Sequence, residues 1–132
     1  MKNYGLDIWS NDNFIIEDGE LVLKYKSKPS LLEIVEEIRA DDVRGPMILR
    51  FPHLIKKQIE TLYQYFDKAI KLNKYKGSFN AVFPLKVNQF PNVVEAVTSE
   101  GAKHNYGLEA GSKAELILAM SETPKDAHIT VN

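Results

Sequence analysis

From Met47 onward the sequence alternates between short apolar runs and longer stretches with apolar residues at helical spacing. Met47-Ile48-Leu49-Arg50-Phe51 reads as a buried strand; after Pro52, the residues Ile55, Ile59, Leu62, Phe66 and Ile70 trace one face of a helix. Residues 79–87 read as a second strand, and Pro91 with Val93, Val94 and Val97 gives a short helix that Gly101 stops. Residues 106–110 form a third strand candidate, Ser112 and Glu115 a capping-box pair that opens a helix through Met120, and residues 128–131 a fourth strand. Strands separated by helices pair in parallel, because the crossover helix carries the chain back to start the next strand in the same direction. The class is α/β. An open doubly wound sheet and a (β/α)8 barrel both satisfy this order, but the open sheet more often shows a glycine-rich phosphate loop after its first strand, and Pro52-His53-Leu54 is none. A barrel takes about 250 residues, so these 132 residues, with about four parallel strands and their helices, predict the first part of a TIM-type (β/α)8 barrel.

The segment ahead of that pattern has a different character. NFIIE and ELVLKY flank Asp18-Gly19, a dipeptide that accepts the positive φ angles of a tight hairpin. Ser30 then stands three residues before Glu33, a capping box, and Leu31, Ile34, Val35 and Ile38 share one face of the helix that follows. That helix runs out near Asp41-Asp42, ahead of Gly45-Pro46. The expected division is residues 1–29 as a β segment and 30–132 as the barrel portion.

Charge and composition remove several function classes. Lys and Arg total 17 against 18 Asp and Glu, a net charge of -1, which leaves no basic excess for nucleic acid or anionic lipid. The absence of cysteine removes disulfides, thiolate zinc sites and a thiol nucleophile, and fits a reducing cytoplasm. MKNYGLDIWSNDN is polar where an export signal has its apolar stretch, and no apolar run approaches the ~18 residues of a membrane span, so a soluble, unexported chain is expected. His53, His104 and His128 have no partner at metal-binding helical spacing and read as surface or strand-end residues; Trp9 and the tyrosines read as packing residues.

Two stretches carry candidate chemistry. In NAVFPLKVNQ, alternation puts Val82, Pro84, Lys86 and Asn88 on one face and Phe79, Ala81, Phe83, Leu85 and Val87 on the other. The second face is wholly apolar and suits a cover of helices, leaving Lys86 on the opposite face near the C-terminal end of its strand, where barrel active sites assemble. A strand-end lysine reaching water is the plainer alternative. In YGLEAGSKAE, Glu109 ends the next strand, Gly111 allows close backbone approach to a ligand, and Glu115 sits one turn into the helix. Taken singly, Ser112 with Glu115 reads first as plain helix capping, and Glu109 equally as a solvated strand end; the two motifs at successive strand ends say more together.

FNAVFPLKVNQFP and NYGLEAGSKAEL resemble segments of the bacterial biosynthetic arginine decarboxylases, pyridoxal-phosphate enzymes of the alanine-racemase-like barrel group. YGLDIW, FIIEDG, SKPSLLEIVEEIR, GPMILRFPHLI and ITVN extend the resemblance over essentially the whole chain, as an N-terminal portion of such an enzyme. The resemblance implies that Lys86 holds pyridoxal 5'-phosphate as an internal aldimine, that Glu109 lies beside that lysine and that Glu115 helps to shape the site; related decarboxylases carry Asp at the position of Glu109. It implies L-arginine as substrate, agmatine and CO2 as products feeding polyamine (spermidine) synthesis, a Mg2+ requirement, homo-oligomers of the full-length protein and a cytoplasmic location. Lysine suits the role because a primary amine condenses with an aldehyde, and its pKa falls from ~10.4 when it is desolvated or set near another cation.

Within the family the chain continues for several hundred residues, so the opening hairpin is expected to belong to a second, β-rich domain, and most contacts to the cofactor ring and phosphate are expected elsewhere. The 132 residues alone are expected to be inactive and poorly soluble or self-associating, with unpaired strands at Met47 and His128. Two other readings stand beside this one: decarboxylation of a different amino acid, ornithine or diaminopimelate, on the same barrel, and a catalytically inactive truncated fragment.

Overall fold

A computed structural model describes residues 4–132; the polar opening at residues 1–3 lies outside them. Contacts divide the chain into two compact units, one ending at Leu49 and the other Arg50–Asn132.

In the first unit, a short helix α1 (Leu6–Trp9) precedes a hairpin of β1 (Phe14–Glu17) and β2 (Glu20–Leu23). The strands are antiparallel, with Phe14 opposite Leu23 and Glu17 opposite Glu20. Asp18 and Gly19 both take positive φ, 49° and 88°, the twist that matches a two-residue turn to its flanking strands. Helix α2 (Leu31–Ala40) follows. Its capping box is closed: the Glu33 amide donates to the Ser30 hydroxyl at 3.1 Å, and the Ser30 amide donates to the Glu33 carboxylate at 2.9 Å. The half-buried positions are Leu31, Ile34, Val35 and Ile38, the stripe that the spacing predicts. Helix α1 was not expected, since Tyr4 to Tyr25 reads as strand and turn; it starts after Gly5, whose φ of 72° suits glycine.

The second unit contains α3 (Pro52–Leu72), β3 (Val82–Pro84), α4 (Pro91–Gly101), a 3-10 turn (Ala102–His104), β4 (Gly107–Ala110), α5 (Lys113–Glu122) and β5 (Ile129–Val131). The three strands form one parallel sheet in the order β3-β4-β5. The expected strand at 47–51 is absent, so the sheet has three strands where four were predicted. A strand exists through its ladder partner, and among the described residues 47–51 has none; Ile48 is 77% exposed, so this apolar run is not a buried one. The expected strand at 79–87 contracts to Val82–Pro84, since Leu85, Lys86 and Val87 form a turn.

Leu85, Leu108 and Ala110 pack with Val94, Val97 and Ala119 into the core of this unit, with Phe83, Tyr106, Leu116 and Leu118 against it. Alternation therefore sends Leu108 and Ala110 into the helix-covered layer and leaves Gly107 and Glu109 on the other face of β4. Gly107 is required by a close approach, because a Cβ there would run into the backbone carbonyl of His128 on the neighbouring segment. Tyr63 on α3 accepts the Ala81 amide at its hydroxyl (3.2 Å) and stacks on His104 with ring centroids 4.1 Å apart, fixing α3 to both the approach to β3 and the 3-10 turn.

Candidate functional site

The two stretches singled out in the sequence lie side by side. Pro84 is the register partner of Glu109 on parallel strands, and the Leu85 amide extends the ladder by donating to the Glu109 carbonyl at 3.0 Å. The chain then turns, with the Val87 amide donating to the Pro84 carbonyl at 3.0 Å, and Lys86 sits in that turn at the C-terminal end of β3. Its side chain is exposed and makes no hydrogen bond or ion pair among the described residues. Strict alternation fails here: Asn88, expected on the face of Pro84, lines a cavity with Phe83 and Val87 because the turn redirects the chain after Leu85.

Glu109 is 9% exposed on the face of β4 opposite the helix-side core. Its carboxylate accepts from the Asn132 side-chain amide at 3.3 Å, just past β5. The structure thus brings Lys86 and Glu109 to the same end of adjacent strands without pairing them as ions.

Glu115, also 9% exposed, does more than start a helix. Its backbone amide donates to the Ser112 hydroxyl at 3.2 Å, as the capping spacing predicts. Its carboxylate does not return to Ser112. One oxygen accepts the Gly111 amide at 2.7 Å, and the other accepts the Gln89 side-chain amide at 2.8 Å. Ser112 is extended, with φ -147°, so the carboxylate meets the Gly111 amide behind it and still has an oxygen free for Gln89. Nothing in the local spacing of Gln89 signals the contact, because its partner lies 26 residues on, at the start of α5.

A cavity of about 660 Å³ lies on the helix side of β3, lined mainly by apolar residues of α3, α4 and β3, including Ile55, Ile59, Phe83 and Val97. Lys86, Glu109 and Glu115 are not among its lining residues. Among the described residues no three His, Asp or Glu side chains converge to hold a metal ion, and no helix is long and apolar enough to cross a membrane.

Of the three expected histidines, His104 has the more specific setting. Burial, and then the neighbouring Lys103 charge, hold its pKa below the usual imidazole value, against a smaller opposing pull from Asp67.

No family model matches the chain. The biosynthetic arginine decarboxylase of Prochlorococcus marinus strain AS9601 is 35% identical over 126 residues, which cover 92% of this chain and 19% of that protein. The arginine decarboxylase of Avena sativa is 38% identical over 137 residues, covering 91% of this chain and 23% of its own length. The crystal structure of the biosynthetic arginine decarboxylase SpeA from Campylobacter jejuni superposes with a TM-score of 0.97 at 56% identity, over 100% of this chain and 22% of that one. The chain spans about a fifth of the length of the relatives it matches. The chain is homologous to an N-terminal portion of the biosynthetic arginine decarboxylases.

Proposed function

We propose that this chain is the part of a pyridoxal-phosphate-dependent arginine decarboxylase that supplies the attachment lysine, Lys86, from the opening strands of a (β/α)8 barrel. In this reading residues 30–132 belong to the barrel and 1–29 to a second, β-rich domain, and the whole protein converts L-arginine to agmatine and CO2 in the cytoplasm, as a homo-oligomer serving polyamine synthesis. The observation that carries it is the juxtaposition of an uncommitted primary amine, Lys86, with a carboxylate, Glu109, at the ends of two paired parallel strands. The names of the relatives favour arginine over ornithine or diaminopimelate.

The residues present fit the aldehyde end of the cofactor. When bound, pyridoxal phosphate supplies a carbonyl that condenses with primary amines and a ring that takes up the electron pair left by departing CO2. Lys86 offers an amine free of competing ion pairs, which needs no salt bridge broken before it reacts. Glu109, held by Asn132 and shielded from water on most sides, lies on the side of the sheet away from the helices. Glu109 ends the neighbouring strand beside the Lys86 turn, where a carboxylate can accept N–H bonds from the amine and orient it. Glu115 acts at a distance, through Gly111 and Gln89, on the backbone that carries both. For Mg2+ the described residues offer no ligand set, and no step is derived through it.

Incubation of the protein with pyridoxal phosphate, borohydride reduction and peptide mapping test the assignment. A reduced pyridoxyl adduct concentrated on Lys86 is expected; labelling spread evenly over exposed lysines such as Lys68, Lys113 and Lys125 overturns it.

A further inference from the structure

We infer that Gln89 is the positioning residue for Lys86, an inference that rests on the reading of Lys86 as the attachment amine. Lysine has a long, freely rotating stem, so where its nitrogen goes is set first by where the backbone of its turn is held. The turn is closed locally by the Val87 amide on the Pro84 carbonyl, and its exit by the Phe90 amide on the Asn88 side chain at 3.1 Å. Neither of these two bonds reaches the neighbouring strand; the Leu85 amide on the Glu109 carbonyl ties the start of the turn to β4, and the far side of the turn is left to side chains. Among the described residues, the hydrogen bond from a side chain of this segment to the next strand–helix unit is that of Gln89, to Glu115 at 2.8 Å.

Glu115 is suited to receive it. It is buried, its backbone is fixed at the start of α5 by Ser112, and its second oxygen holds the Gly111 amide at the end of β4. One carboxylate therefore brackets the Lys86 turn and the β4 terminus, two residues past Glu109, with bonds strengthened by its charge. The donor is a neutral amide. Glutamine fixes geometry without altering charge.

Two variants test this in the 132-residue chain. Gln89→Met removes the donor at nearly constant size and charge; the exchange Gln89→Glu with Glu115→Gln reverses donor and acceptor while leaving an oxygen for the Gly111 amide. The readouts are the initial rate of borohydride-trapped pyridoxyl adduct at Lys86, relative to Lys113, and the NMR signal of Lys86 after reductive 13C-methylation with formaldehyde, which needs no cofactor. Gln89→Met is expected to lower the relative rate about tenfold, the effect of losing a single good hydrogen bond, and to broaden or move the Lys86 signal with unchanged far-UV ellipticity. The exchange variant is expected to return both to within about twofold of the parent. An unchanged Lys86 rate and signal in Gln89→Met, or no recovery in the exchange, overturns the inference. If the parent shows no preference for Lys86 with pyridoxal phosphate, yet the methylated Lys86 signal moves in Gln89→Met and returns in the exchange, positioning by Gln89 is supported and the cofactor reading falls.

Discussion

Replacing Leu108 with alanine removes its γ and δ carbons from the centre of the layer between the β3-β4-β5 sheet and its helices. Leu108 is 0% exposed and packs among Leu85, Val94, Val97, Ala110 and Ala119, of which Leu85, Ala110 and Ala119 are equally closed to solvent. Lost transfer energy alone, at roughly 0.8 kcal/mol for each methylene equivalent, comes to about 2.4 kcal/mol. The neighbours are held in strands and helices on both sides and collapse only partly into the void, so a total of about 3 kcal/mol is expected, within the usual range of ~2–5. With a urea slope of about 2 kcal/mol/M, the unfolding midpoint falls by about 1.5 M. Trp9, the single tryptophan, belongs to the first unit, so its fluorescence is the wrong signal. Far-UV ellipticity at the helix minimum is the right one, because α3, α4 and α5 contribute most of the helical residues. A midpoint that moves by less than about 0.5 M would refute the argument, showing that Leu108 does not sit in a shared, close-packed layer.

Further outcomes are open to measurement. Gly107→Ala sets a Cβ against the backbone carbonyl of His128, a clash that no side-chain rotation can relieve; a cost of about 1–3 kcal/mol is expected, together with faster hydrogen exchange at the Leu108 amide, which donates to that same carbonyl. Ser30→Ala opens the capping box of α2 and is expected to cost about 1 kcal/mol, read from the thermal transition of the first unit through Trp9 fluorescence. His104 is held below its ordinary pKa of 6.5, so the fold favours the neutral ring: its contribution is present above that value and lost as pH falls through the lower, folded pKa. Proton NMR of the His104 ring should show a midpoint below 6.5, and His104→Phe, which keeps the stacking on Tyr63, should flatten the acid side of the stability profile. A His104 midpoint above the ordinary value contradicts this.

What the sequence reveals and what it conceals follow from the range of the interactions involved. The hairpin at Asp18-Gly19, the box of Ser30 with Glu33 and the limits of α4 at Pro91 and Gly101 are all decided within a few residues, and each is legible. The strand expected at 47–51 fails because apolar composition does not supply a ladder partner. The strand expected at 79–87 fails past Pro84 because a turn, not alternation, governs Leu85 to Val87. At the candidate site, the adjacency of the Lys86 and Glu109 segments follows from parallel order alone. The second task of Glu115 stays hidden: Ser112 and Glu115 match a capping box so well that spacing gives no hint of a carboxylate turned toward Gly111 and Gln89.

The sheet of the second unit has a simple ordering, each strand lying beside the one before it in the chain. Val82 finds Gly107, and Leu108 finds Ile129, across a single helix each time. Such a sheet can be laid down vectorially: as the polypeptide leaves the ribosome, every finished strand presents its edge to the one arriving next, and no strand has to be threaded between two already paired. The Lys86 turn then needs only β4 and α5 to meet its partners, Glu109 and Glu115.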